Sequence, residues 1–308
     1  MNRVVGVPKK LVSSDGYRVV KGYVMVLVAT LIWSGNFIVA RVIHDSIPPV
    51  TIVVMRSLIA VIILAPFVMR SLYYEWSLFL KHIGYLSLTA FLGMTMCNTL
   101  VYVAAASSKA VNLTLIAISS PLFTIIFARI FLQDALTLKR ILSLIIASFG
   151  VFYLVADGNV SNIVNLSFTP GDIWMLGQAS SFALYSILVQ KRPTELSPLP
   201  FLFSLFVLGM MFLLPWFSWE IISSGWTDLT DRELLALIYL GLGPSVLAYM
   251  SWNKSVALIG PARASIVYYC LPLFSGIEAL YLLGEHMTLS HLISGTLILS
   301  GVILSTRD

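Results

Sequence analysis

Charge is what this 308-residue chain has least of: Asp, Glu, Lys and Arg make up 11% of it. A soluble domain carries about 25%, so this composition cannot supply a water-facing surface. Cysteine is nearly absent. Cys97 and Cys270 both fall inside apolar runs, so they exclude a disulfide framework, lack the spacing of a zinc site and read as packing residues. Histidine is as rare, and His44, His82, His286 and His291 all fall at the ends of apolar runs or between them. Glu278 is the one carboxylate well within a run. An enzyme set into a membrane needs a nucleophile with a base, or metal ligands, at that depth. The chain offers neither, so no catalytic activity, metal or cofactor is expected. It also lacks the charged ring or filter-like loop of an ion channel. Polar and apolar residues do not alternate over stretches of about ten, which excludes a membrane β-barrel. The first apolar run exceeds 20 residues and has no small-residue cleavage site, so it reads as a helix rather than a leader.

What is there is apolar. Hydrophobic residues make up 58% of the chain and the mean hydropathy is +0.93. A hydrocarbon core about 30 Å thick takes roughly 20 residues of helix. The runs predict ten transmembrane helices: 22–43, 50–70, 83–103, 108–131, 138–156, 171–191, 199–219, 233–254, 262–283 and 288–305. Residues 1–21 read as a flexible cytoplasmic tail. With the amino terminus inside, the 19 basic residues sort into 14 inside (Arg3 to Lys21, Arg70, Lys81, Lys139, Arg140, Lys191, Arg192, Lys254, Arg263, Arg307), three outside (Arg41, Lys109, Arg232) and two within helices, Arg56 and Arg129. That bias predicts both termini in the cytoplasm. It also explains the net charge of +5 without a nucleic-acid partner. The partners expected are the lipid bilayer and a small-molecule solute.

Residues 121–154 repeat as 272–305. Pro121-Leu122-Phe123 aligns with Pro272-Leu273-Phe274, Asp134 with Glu285, Ser143 with Ser294 and Gly150-Val151 with Gly301-Val302, giving 11 identities in 34 positions at an offset of 151. Apolar composition alone would not align proline, acid, serine and glycine together. The halves are 22–156 and 171–305, with 157–170 as an outer linker. Five helices is an odd number, so the second half enters the membrane from the opposite side. Inverted repeats of this kind are a transporter signature, with substrate at the repeat interface near mid-membrane. Ser294-Gly295 and Ser300-Gly301 would serve a dimer face or internal contacts equally well; a monomer is expected.

Several stretches carry a family likeness. Trp33-Ser34-Gly35-Asn36-Phe37, Arg56, the two Pro-Leu-Phe turns and Leu283-Gly284-Glu285 together resemble the drug/metabolite transporter superfamily in its EamA-like branch, over residues 22–305. The first half departs mildly, with Gln133-Asp134 where the branch has Gly-Glu. The resemblance implies a central cavity lined by helices 1, 3, 4, 6, 8 and 9. Bacterial aromatic amino-acid exporters belong to this branch. The motifs mark the branch and not its substrate.

Polar residues at membrane depth normally face a bundle interior or a water-filled cavity. They form stripes here: Trp174, Gln178, Ser181 and Tyr185; Thr95, Asn98 and Tyr102; Ser245, Tyr249, Trp252 and Asn253; Trp33 and Asn36; Ser265, Tyr268 and Tyr269; Ser119 and Ser120. Interhelical glue or an interfacial aromatic belt would explain any one of them, the belt best for Trp174 and Tyr102. Together they predict a binding cavity for an amphipathic organic solute. Pro121 and Pro272 each remove a helix hydrogen bond, which would free the carbonyls of Ala117 and Tyr268 and supply a hinge or a fixed kink. Arg56 and Glu278 lie at similar depth and could pair. The expected function is export of amino acids, aromatic or large neutral ones foremost, across a bacterial inner membrane by an uncoupled carrier. The alternatives are a drug efflux carrier and a proton-coupled exporter using Glu278. The scarcity of interior cations argues against phosphorylated cargo.

Overall fold

The computed structural model describes residues 9–43, 46–105, 116–117, 119–156, 158–159, 161, 169–225, 229–283 and 289–306. Its described elements are all helical. In chain order they are α1 (Lys9–Ile43), α2 (Pro49–Lys81), α3 (83–105), α4 (Ser119–Leu132), α5 (Leu138–Val155), α6 (Pro170–Gln190), α7 (Pro198–Ser224), α8 (Asp231–Ile259), α9 (261–283) and α10 (Leu289–Thr306). Among the described residues, seven helices are long and apolar enough to cross a membrane: Gly16–Asn36, Pro49–Lys81, Ile83–Ala104, Leu138–Val155, Pro198–Ser223, Asp231–Ile259 and Leu289–Thr306. The rest fall short for a physical reason. Pro170–Gln190 has the length but carries Asp172, Gln178 and several serines. Ser119–Leu132 is a shorter apolar helix, and α9 is interrupted. Much of the stretch expected to begin the fourth helix, most of the 157–170 linker, Trp226 and Gly284-Glu285 lie outside the described residues.

Two pairs of equivalent helices, α2 with α7 and α5 with α10, pack antiparallel. On α7, Glu220 takes hydrogen bonds from the Val50 and Thr51 amides (3.2 and 2.7 Å) and from the Thr51 hydroxyl (2.8 Å), capping the start of α2. On α2, Glu75 takes them from the Ser197 amide (3.0 Å) and hydroxyl (2.5 Å), capping the start of α7. Each carboxylate meets the positive end of its neighbour's helix dipole. The repeat-matched glycines do the same work for α5 and α10. A Cβ on Gly150 would lie 2.9 Å from Leu297 and Ile298 side-chain atoms; one on Gly301 would lie 2.7 Å from the Ser143 carbonyl and 2.8 Å from the Ala147 amide. Only hydrogen lets these backbones meet, as small residues commonly do between membrane helices. Gly301 thus serves an internal contact.

A second match lies in α3 and α8. Each is an α-helix that widens to a π-helix and narrows again: Ile83–Ala90, Phe91–Met96 and Cys97–Ala105 in α3, and Asp231–Leu240, Gly241–Leu247 and Ala248–Ile259 in α8. The offset of 151 that aligns the halves carries Gly93 onto Pro244, one inside each π segment. A π turn leaves carbonyls out of α register, and here side chains take them up. The Tyr249 hydroxyl donates to the Gly93 carbonyl at 3.0 Å, and the Trp33 indole N–H donates to the Pro244 carbonyl at 3.1 Å.

Two expectations change. The polar stretch expected to be a loose tail is helical from Lys9 onward, extending α1 beyond its apolar part. Pro272 does break α9, through a 3-10 turn at Tyr268–Cys270 between Pro261–Val267 and Leu271–Leu283. The Tyr268 carbonyl is not left free, however, because the Leu271 amide donates to it. Pro121 lies in α4, two residues after its first described residue.

Candidate functional site

The polar stripes converge between the halves. Trp33 of α1 is their hub. Its ring stands 5.4 Å from Tyr249, 5.6 Å from Phe182, 5.6 Å from Trp252 and 6.1 Å from Tyr268, edge-on to three of them. Phe182 and Trp252 close the cluster at 4.9 Å. Such edge-to-face pairs contribute about 0.5–1.5 kcal/mol each beyond buried area. The cluster is held by its polar tips. Trp252 donates to Ser186 at 3.1 Å and Tyr185 donates to Asn253 Oδ1 at 2.7 Å. Asn98 donates to the Tyr249 hydroxyl at 3.2 Å and to the Met94 carbonyl at 3.0 Å.

Against this cluster lies a cavity of about 60 Å³ lined by Trp33, Asn36, Arg56, Cys97, Asn98, Val101, Tyr102, Gln178, Phe182, Tyr249 and Tyr268. Arg56 is the one charged group among them. It is buried, and its position is fixed from two helices. Nε donates to Ser245 Oγ at 2.9 Å, and Nη1 donates to Asn36 Oδ1 at 3.2 Å. Gln178 reaches Cys97 Sγ at 3.3 Å. The Tyr102 hydroxyl is buried and has no hydrogen-bond partner among the described residues, so it is a group a solute can satisfy. The volume admits one or two waters, so the lining must part before an amino acid enters. A larger cavity, about 590 Å³, opens at the end of the bundle among Gln133, Asp134, Arg140, Gln190 and Arg263. Asp134 and Arg140 are ion-paired there at 2.9 Å.

The stripes did not all arrive. Trp33, Asn36, Asn98, Tyr102, Gln178, Tyr249 and Tyr268 line the cavity. Tyr185, Trp252 and Asn253 stand behind it as supports. Tyr269 turns away to Ser148 on α5, with 2.7 Å between hydroxyls. Ser119 bonds locally to the Ile116 carbonyl. Trp174 is 47% exposed, which suits the aromatic belt. Arg56 and Glu278 do not pair, because Arg56 is held by Ser245 and Asn36 while Glu278 faces Ser34 on α1 at 2.9 Å. Sequence reasoning missed Phe182 and treated Cys97 as packing alone. Both were legible as neighbours of the stripes, since Phe182 stands four residues after Gln178 and Cys97 directly before Asn98. Among the described residues, no group of three His, Cys, Asp or Glu side chains could hold a metal.

Residues 20–156 and 169–307 each match the EamA-like transporter family. The chain is 24% identical over 293 residues to an uncharacterized transporter of Archaeoglobus fulgidus, covering 93% of this chain and 97% of that protein. It is 27% identical over 296 residues to an uncharacterized inner membrane transporter of Salmonella typhimurium, covering 94% and 96%. It is 25% identical over 193 residues to a probable terminal-alkyne amino-acid exporter of Streptantibioticus cattleyicolor, covering 63% and 62%. A crystal structure matches with a TM-score of 0.75 at 14% identity, covering 93% of this chain and 96% of the other; at that identity the likeness concerns the fold.

Proposed function

Because the chain belongs to the EamA-like transporter family, we propose that it exports amino acids, aromatic or large neutral ones foremost, by alternating access. Arg56 carries this reading. It is the one charge on an otherwise aromatic and amide-lined cavity. A guanidinium pairs well with a carboxylate, and aromatic faces accept an apolar side chain. An ammonium would find Asn36, Asn98, Gln178 and the ring faces. A cationic drug would meet Arg56 unfavourably, which counts against the efflux alternative. The named activity of the Streptantibioticus relative, an amino-acid exporter, points the same way.

The ten helical segments are read as ten crossings of a bacterial inner membrane with both chain ends in the cytoplasm. The halves rock about their antiparallel contacts, opening the cavity to one side and then the other. Among the described residues no carboxylate lines the cavity. The test is uptake of labelled Phe, Thr and Met into proteoliposomes of the purified protein. Saturable uptake that other amino acids compete away, and that Arg56→Gln weakens at least tenfold in KM, supports the reading. Uptake inhibited by lipophilic cations and indifferent to Arg56→Gln would replace amino acids with drugs.

A further inference from the structure

Glu278 stands outside the solute cavity, on α9 beyond the 3-10 turn, and faces α1. Its Oε1 lies 2.9 Å from Ser34 Oγ, and Ser34 Oγ also lies 2.6 Å from the Leu31 carbonyl. A serine hydroxyl has one hydrogen, and a carbonyl only accepts. Shared between both acceptors, that one hydrogen makes only a weak three-centre bond; two full hydrogen bonds need a second hydrogen, from the carboxyl. The other oxygen tells the same story. Oε2 is buried and has no hydrogen-bond partner among the described residues, which an ionised carboxylate tolerates far less well than a neutral acid. No ion pair reaches Glu278 among the described residues. The groups described beside it are Ser34 from α1 and Tyr239 from α8, whose hydroxyl, like Glu278 Oε2, comes up against the place where a Cβ on Gly35 would stand; Arg56 of α2 is held by Ser245 and Asn36, and His291 of α10 lies beside Gly276.

We propose that Glu278 is a proton-binding site held as the neutral acid in this conformation, and that the transport cycle takes up and releases a proton there. The neutral carboxyl fastens α9 to α1 at Ser34, beside a second tie in which Ser275 Oγ stands 3.5 Å from the Ser34 carbonyl. When the proton passes to water, the anion cannot keep both Ser34 contacts and a dry oxygen, and the seam between α1 and α9 opens to solvate it. When water returns the proton, the seam closes. The inference rests on the alternating-access reading but not on the identity of the solute, and it replaces the uncoupled carrier expected from the scarcity of charge.

Two measurements on the full-length protein in bilayers test it. Infrared spectra of the solute-free protein at pH 7 should show a protonated-carboxyl band. That band should be absent in Glu278→Gln, shifted in Ser34→Ala and kept in His291→Gln. A wild-type spectrum matching that of Glu278→Gln overturns the proposal. Should Glu278→Gln not fold, an unshifted band in Ser34→Ala overturns it. In proteoliposomes, one pH unit should drive labelled phenylalanine up to about tenfold above equilibrium with the wild type and not with Glu278→Gln. Equal accumulation by both, or gradient-independent equilibration by both, overturns the coupling. A band that behaves as expected with no phenylalanine movement in any protein supports the proton site and removes phenylalanine from the proposed cargo.

Discussion

At the scale of single residues, the cavity separates groups the fold needs from groups it leaves free. The Tyr102 hydroxyl has no partner among the described residues. Tyr102→Phe is therefore expected to leave the unfolding midpoint unchanged or higher, while raising KM for the transported amino acid about three- to tenfold. A lower midpoint with unchanged KM would give the hydroxyl a structural role instead. Tyr249 is the contrast. Its hydroxyl donates to the Gly93 carbonyl and accepts from Asn98, so Tyr249→Phe should cost about 1–3 kcal/mol of stability, read as a fall in the thermal midpoint. Helical spacing alone found both tyrosines because a polar group at membrane depth has few places to go. It could not separate Tyr268 from Tyr269. A 3-10 turn, which depends on Pro272 and its packing, sends one to the cavity and the other to Ser148.

At the scale of helices, the repeat written in the sequence becomes contact. Gly301→Ala should be destabilising by about 1–3 kcal/mol, since its Cβ would meet backbone atoms of α5. Gly84→Ala, with open space around it, should be neutral or stabilising by up to about 1 kcal/mol. Comparing their melting curves checks both, and equal effects would mean that α5 and α10 do not pack this closely. The helices themselves were legible because a chain in lipid must satisfy its backbone internally. The lining helices were less so. Polar groups dilute the apolar signal of α6, and Pro272 divides α9. The π segments were not legible, because what stabilises them is a tyrosine and a tryptophan from far along the chain.

At the scale of the whole molecule, basic residues predict which end of the bundle faces the cytoplasm. A cysteine placed at exposed Lys191 should resist a membrane-impermeant maleimide added to intact cells, and one placed at Ser223 should react. The reverse pattern would invert the orientation. The native cysteines are both buried and give little background. The paired π segments carry a further consequence, one of chain length. A π turn holds about one residue more than an α turn, so each segment acts as a built-in insertion. Deleting one residue from 91–96 would let that turn close as an ordinary α turn, leaving Asn98 and Tyr102 in phase but drawing the Gly93 carbonyl back into the helix ladder and away from Tyr249. The same deletion in 241–247 would withdraw the Pro244 carbonyl from Trp33. In these two stretches the extra residue serves an open carbonyl and not the direction in which the flanking side chains point.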